Sequence, residues 1–377
     1  MKNSIIALLT IGLVATSCKK EGCMDQNASN YNHDAQKDNG SCEYKAPSSY
    51  MFTDEAGNNT VSFGGQTERL NQLDELIAYA ETGETTPISA SILSDMFANT
   101  GGNGNGNFSF TSTKDLKSKC YSLDTTTIMG YFDSIALASA SFASTASNGQ
   151  AGILTSGTST YLFSANGIQY SEVIEKTIMG AVFYYQMNSV YLSDSKMNVD
   201  NTTAVDPANG EYYTTMEHHF DEAFGYFGVP TDFPGNIVGI RYWGKYCNAA
   251  DPTINSNTTL MNAFLQGRYA ITQNDLVTRD AQRLIIQENM EKMVAANAVD
   301  YINEGISYFG NDQAKFLHEI SEAYAFVNII RYSPVATRKM TPTEVDALVG
   351  QFGTNFWNLT LNDLNAIKTT LTTTYNL

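Results

Sequence analysis

Periodicity predicts an all-α protein: helical bundles, with two packed halves as one arrangement, preceded by a short hairpin and a small disulfide module. Three observations carry this reading. After residue 63, nearly every patterned segment repeats its apolar positions at helical spacing. The C-terminal part of the chain shows no repeated strand-helix alternation, which argues against a doubly wound sheet. A hydrophobic fraction of 42%, with 22 Tyr and 19 Phe in 377 residues, supplies a core that an acidic disordered segment lacks.

The first element is an address. Residues 1–17 join Lys2 to the apolar run Ile5 to Val14 and then the small residues Ala15-Thr16-Ser17. That is the layout of a secretory signal, too short to remain as a spanning helix. Cys18 follows directly, and the arrangement resembles the lipobox of bacterial lipoproteins. The resemblance implies cleavage before Cys18, its lipidation, and a lipid membrane as partner at the cell envelope, in an outer-membrane lipoprotein facing the periplasm or the surface. The chain balances 22 basic against 39 acidic side chains, a formal charge of -17. With no basic stripe to neutralise phosphates, nucleic acid and anionic membrane surfaces are poor partners, so attachment rests on the lipid.

Residues 18–45 form the tether. Cys23 and Cys42 enclose a polar Asn/Asp/Gly segment without a core of its own. A disulfide between them would be its main constraint, stabilising a loop of that length by about 3 kcal/mol. The stretch resembles a small two-cysteine module of exported bacterial proteins. Asp25, Asp34 and Asp38 could hold calcium, but the alternate-residue spacing of an EF-hand loop is missing, and a spacer is the better reading. Cys120 and Cys247 remain as a second pair, too far apart in sequence for local reasoning to join them.

Residues 46–377 make up the helical domain. Tyr50 to Phe63 alternates around Gly-Asn-Asn and reads as a hairpin. Thr67 to Thr82 aligns Leu70, Leu73, Leu76, Ile77 and Ala80, and Pro87 opens a second helix that ends near Asn99. Gly101 to Asn107 is a loop. Further helices are predicted at about 128–147, 170–192, 211–226, 258–270, 275–303, 312–331, 343–352 and 361–373. Glu222 to Gly228 is echoed by Glu304 to Gly310, each ending in Tyr-Phe-Gly, a helix-closing design that raises duplication of a helical unit.

Only four histidines exist, and three of them, His218, His219 and His318, fall on acid-rich predicted helices. His219 and Glu222 stand three apart, His218 and Glu222 four apart, and the sequence does not choose between them. His318 and Glu322 are one turn apart. A third helix carries Glu172, Glu175 and Lys176. Imidazole beside carboxylate on two helices is a plausible metal constellation, with iron, zinc or calcium as candidate ions. Its candidate ligands are His219, Glu222, His318, Glu322 and Glu175, and helix-surface salt bridges are the ordinary alternative. The order His-x-x-Glu departs from the Glu-x-x-His of di-iron bundles, and His318-Glu319-x-x-Glu322 lacks the second histidine of a zinc protease. Gly-x-Ser-x-Gly, Walker and Cys-x-x-Cys patterns are absent, so no catalytic set is assigned.

His219-Phe-Asp-Glu222 followed by Ala-Phe-Gly-Tyr-Phe-Gly resembles the Gly-x-His-x-x-Glu motif of imelysin-like proteins, with Glu217 in place of the glycine. Tyr170 to Tyr185 and Glu217 to Pro230 are more specifically similar to envelope lipoproteins whose genes accompany imelysins and outer-membrane iron receptors. The likeness follows helix order over residues 48–377, and those two stretches closely. It implies bundled helical halves, a non-enzymatic role in iron or haem acquisition, an outer-membrane transporter as partner, and His219 with Glu222 at the site. A metal-dependent peptidase or hydrolase and a structural or adhesive surface lipoprotein are the alternatives.

Overall fold

The longest helix among the described residues, Leu276–Tyr308, runs for 33 residues, about 50 Å at 1.5 Å per residue, and several other helices pack against it. The computed structural model describes residues 19–24, 30–41 and 45–377. The signal segment, Cys18, Asp25 and Cys42 lie outside the described residues, so cleavage, lipidation and the Cys23–Cys42 pairing are not seen directly. The chain divides into two units, one up to Pro47 and one from Ser48 to Leu377.

In the first unit, β1 (Glu21–Gly22) and β2 (Lys37–Asp38) pair in parallel, and Lys37 Nζ meets Glu21 at 2.6 Å. Cys23 is buried. Asp34, one of the calcium candidates, pairs instead with Lys20 at 2.8 Å and His33 at 2.8 Å.

The second unit is mostly helical. Its helices are α1 (Gly64–Glu81), α2 (Ala90–Phe97), α3 (Thr125–Ser139), α4 (Tyr170–Ile178), α5 (Asp194–Met197), α6 (Thr215–Phe227), α7 (Trp243–Ile254), α8 (Ser256–Thr272), α9 (Leu276–Tyr308), α10 (Gln313–Ile329), α11 (Pro342–Gly350) and α12 (Leu361–Tyr375). Helices α8 and α10 pack most extensively on α9, joined by α7 and α12. The run Val294 to Val299 is buried on every side of α9, because alanines at 295, 296 and 298 let neighbouring helices close in. No helix among the described residues is long and apolar enough to cross a membrane.

Several boundaries differ from expectation. The Tyr50–Phe63 hairpin closes on one antiparallel bridge, Thr53 with Asn59, around a turn whose Asp54 side chain accepts from the amides of Ala56 and Asn58. The helix expected over 128–147 ends at Ser139. Beyond it the Ser/Ala/Thr run offers Phe142 as its one bulky apolar anchor, and the chain turns into the hairpin of β3 (Gly152–Ser156) and β4 (Ser159–Phe163). The helix expected from Glu211 begins at Thr215. There Thr214 and Glu217 form a reciprocal cap, while Glu211–Thr214 is strand β6, paired with β5 (Ala204–Asp206). Gly228 closes α6 at φ 74°, where a Cβ would stand 2.5 Å from the Arg241 carbonyl oxygen. Cys120 and Cys247 are buried free thiols, so the second disulfide does not form.

The largest departure is in winding. The predicted helix over 170–192 exists, but from Met179 to Tyr191 its hydrogen bonds open to the wider π pattern. All of that segment is buried except Tyr185, Ser189 and Val190. Gly180 faces Ile329, whose Cγ1 would lie 2.5 Å from an added Cβ, so the absence of a side chain lets this rod seat against the end of α10.

Candidate metal centre

Helices α4 and α10 pack side by side, and their facing turns assemble a charged cluster. Glu172, Glu175 and Lys176 come from α4, His318 and Glu322 from α10. One ligand atom each from Glu172, His318 and Glu322 falls within 4.8 Å of the other two. Among the described residues this is the only group of three or more His, Cys, Asp or Glu side chains so arranged.

Lys176 sits among the carboxylates. Its ammonium donates to Glu172 at 2.8 Å and to Glu175, and it lies 3.4 Å from Glu322 Oε2, which makes no aligned hydrogen bond. The lysine side chain is 3% exposed, and its other face lies over the Tyr246 ring at 5.8 Å. Burial alone would drive the ammonium to give up its proton; Glu172, Glu175 and Glu322 outweigh that and hold its pKa well above the ordinary value. Burial likewise works to raise the pKa of Glu172, and Lys176 overcomes it, keeping that carboxylate ionised below its ordinary range.

Glu322 responds oppositely. Burial pushes its pKa to about 8 against the pull of Lys176, with the negative charge of Glu172 adding to the rise, so it is protonated at neutral pH. His318 is pushed down to about 4, chiefly by burial, and is neutral. Its Nδ1 lies 2.8 Å from Gln169 Oε1, which assigns the proton to Nδ1. Nε2 is left as the acceptor, 3.6 Å from Glu322. Liganding histidines characteristically have the other ring nitrogen fixed in this way. The ring packs against Tyr161 of β4 at 4.8 Å between centroids.

The acid-rich turn of α6 is arranged differently. Glu217 and Asp221 face inward and clamp the buried Arg268 at 2.7 and 2.9 Å. His218 is the histidine beside Glu222, at 3.9 Å, and it stacks on Tyr213 at 4.6 Å. Glu222 also accepts from Gln66 Nε2 at 3.0 Å. His219 turns away, its Nδ1 3.0 Å from the Lys196 carbonyl and its Nε2 3.4 Å from the Lys196 ammonium, and burial lowers its pKa. Of the five residues expected at one site, His318 and Glu322 are brought together with Glu175 nearby through Lys176, whereas His219 and Glu222 belong to α6 and are not members. Glu172 and Gln169 complete the cluster. Their signal was the i, i+4 pairing of Glu172 with Lys176 and the position of Gln169 one turn before Glu172.

Residues 47–377 match the family described as Domain of unknown function (DUF4856). The chain belongs to that family. No curated protein and no solved structure matches it.

Proposed function

We propose that this DUF4856 protein is an envelope-anchored lipoprotein that captures a transition metal, alone or within a carrier, for iron or haem acquisition, without catalysis. The observation that carries the metal reading is the Glu172, His318 and Glu322 group within 4.8 Å. Two carboxylates and one imidazole suit iron or zinc better than calcium, which prefers an all-oxygen shell. Glu172, His318 and Glu322 would supply the ligand atoms, Gln169 would hold the His318 ring, and Lys176 is the resident cation to be displaced.

The address rests on the Cys18 lipobox pattern and iron on the imelysin-like resemblance, with an outer-membrane transporter as the receiving partner. The Cys23–Cys42 disulfide would hold the tether. Binding must release the Glu322 proton, so affinity should strengthen as pH rises toward about 8. Calorimetry with ferrous iron and with zinc tests the site on wild type, His318→Ala and His219→Ala. One ion per chain is expected, with at least a tenfold loss in His318→Ala and little change in His219→Ala. No binding by wild type, or equal binding by His318→Ala, would overturn the reading.

A further inference from the structure

A cavity of about 450 Å³ opens between the π-wound segment, the stretch from Arg283 to Gln287 of α9 and the segment from Arg331 to Pro342 that leads into α11. Its volume falls in the range of small-molecule sites. Three guanidinium groups, Arg283, Arg331 and Arg338, line it in a chain whose net charge is -17. Tyr121, Tyr185 and Tyr332 give it aromatic walls, and Leu284 and Val335 bring exposed apolar surface to its mouth.

The arginines are incompletely neutralised. Arg283 pairs with Asp194 at 2.7 Å and with Asp280 at 3.4 Å, and Arg331 pairs with Asp346 at 2.6 Å; Asp194 itself lines the cavity, yet these carboxylates are 80%, 43% and 61% exposed, so an anion would enter by displacing Asp194 from Arg283. Pairs of that kind contribute little and exchange readily. The Nε of Arg283 and of Arg331 is buried with no acceptor. Asn188, fully buried in the π-wound segment, lines the cavity and has a side-chain carbonyl that accepts no hydrogen bond. The two arginine Nε–H groups are donors that the oxygens of an anionic ligand would satisfy, while the Asn188 carbonyl calls for a donor on the body of that ligand. The π winding places the consecutive residues Asn188 and Ser189 both on the cavity wall, and π segments recur at functional sites.

The geometry points to a second binding site here, for a small amphipathic organic anion with an aromatic or aliphatic body and one carboxylate, sulfonate or phosphate group. The anionic group is held by the arginines and the body lies against the tyrosines. This inference is independent of the metal cluster, because none of its residues belongs to that cluster.

The test titrates the full chain with the aromatic sulfonate 1-anilinonaphthalene-8-sulfonate and with its uncharged relative N-phenyl-1-naphthylamine, reading fluorescence. Saturable binding of one sulfonate per chain is expected, at least tenfold tighter than the uncharged probe. It should weaken at least tenfold in Arg331→Ala/Arg338→Ala and stay unchanged in His318→Ala. If the double variant loses its cooperative thermal transition, Arg338→Glu, a change in the loop that keeps Arg331, must still weaken binding at least tenfold. Absence of saturation, equal affinity for the uncharged probe, or unchanged binding in a folded arginine variant would each overturn the proposal.

Discussion

Replacing Glu322 by glutamine removes an ionisable proton while keeping the side chain's shape, and the consequence for stability can be worked from the structure. In the folded protein this carboxyl stays protonated up to about pH 8, against an ordinary value of 4.5. Between those limits the native state binds a proton that the unfolded chain has released, so stability falls as pH rises. The slope is about 1.4 kcal/mol per pH unit, and from pH 5 to pH 8 the loss reaches at most about 4 kcal/mol. Solvent screening takes little from this figure, because the side chain is 8% exposed. Glutamine lacks the titration, so the stability of Glu322→Gln relative to wild type should grow by about 2–4 kcal/mol over that interval. His318, Glu319 and Glu84 titrate in both proteins and largely cancel in the difference. Urea unfolding followed by circular dichroism at pH 5, 6.5 and 8, with chelator present, measures it. A difference that does not change with pH would refute the account of Glu322 as a proton-holding group.

The remaining predictions concern the frame around the cluster. Arg268→Met should destabilise the protein by about 3–5 kcal/mol, because it strands Glu217 and Asp221 in the interior; a loss below about 1 kcal/mol in urea unfolding would mean that the network carries little. Gly180→Ala should cost about 1–3 kcal/mol despite alanine's higher helix propensity, since its methyl group meets Ile329. An unchanged or raised melting temperature would count against the close seating of that rod. Burial pushes the thiols of Cys120 and Cys247 up to about 12, so both should resist an aromatic disulfide reagent in the native protein and react on unfolding in urea. Rapid labelling of the native protein would show that they are accessible.

Helices with one apolar stripe were legible in the sequence. Leu70, Leu73 and Leu76 repeat at a helical interval and are buried as that interval requires. The π winding was not legible, because a segment apolar on nearly every side has no stripe whose period can be read. Helix α7 was missed for a related reason. Pro252 lies inside it, and its buried residues Trp243, Gly244, Cys247 and Ala250 are separated by polar ones in a short stretch. At the cluster, the His318–Glu322 pair was readable from spacing alone, because both members sit on one helix. What spacing could not supply was the partner helix. That α4 packs on α10 through Glu172, and that His219 turns toward Lys196, depend on contacts between residues far apart in the chain. In the acid-rich turn, the choice of His218 over His219 beside Glu222 follows from the inward pull of Arg268 on Glu217 and Asp221, which fixes the rotation of α6.

The rod formed by α4 and its π-wound continuation has a further consequence. It carries Glu172 and Lys176 at one end and Asn188 and Ser189 at the other, while α9 offers Arg283 near its start and Tyr301, in electrostatic contact with Glu322, about 27 Å along its axis. The same two rigid elements therefore serve both places. If either rod has two seatings, an occupant that prefers one of them changes the affinity at the far end, and thermodynamic reciprocity makes the effect equal in both directions.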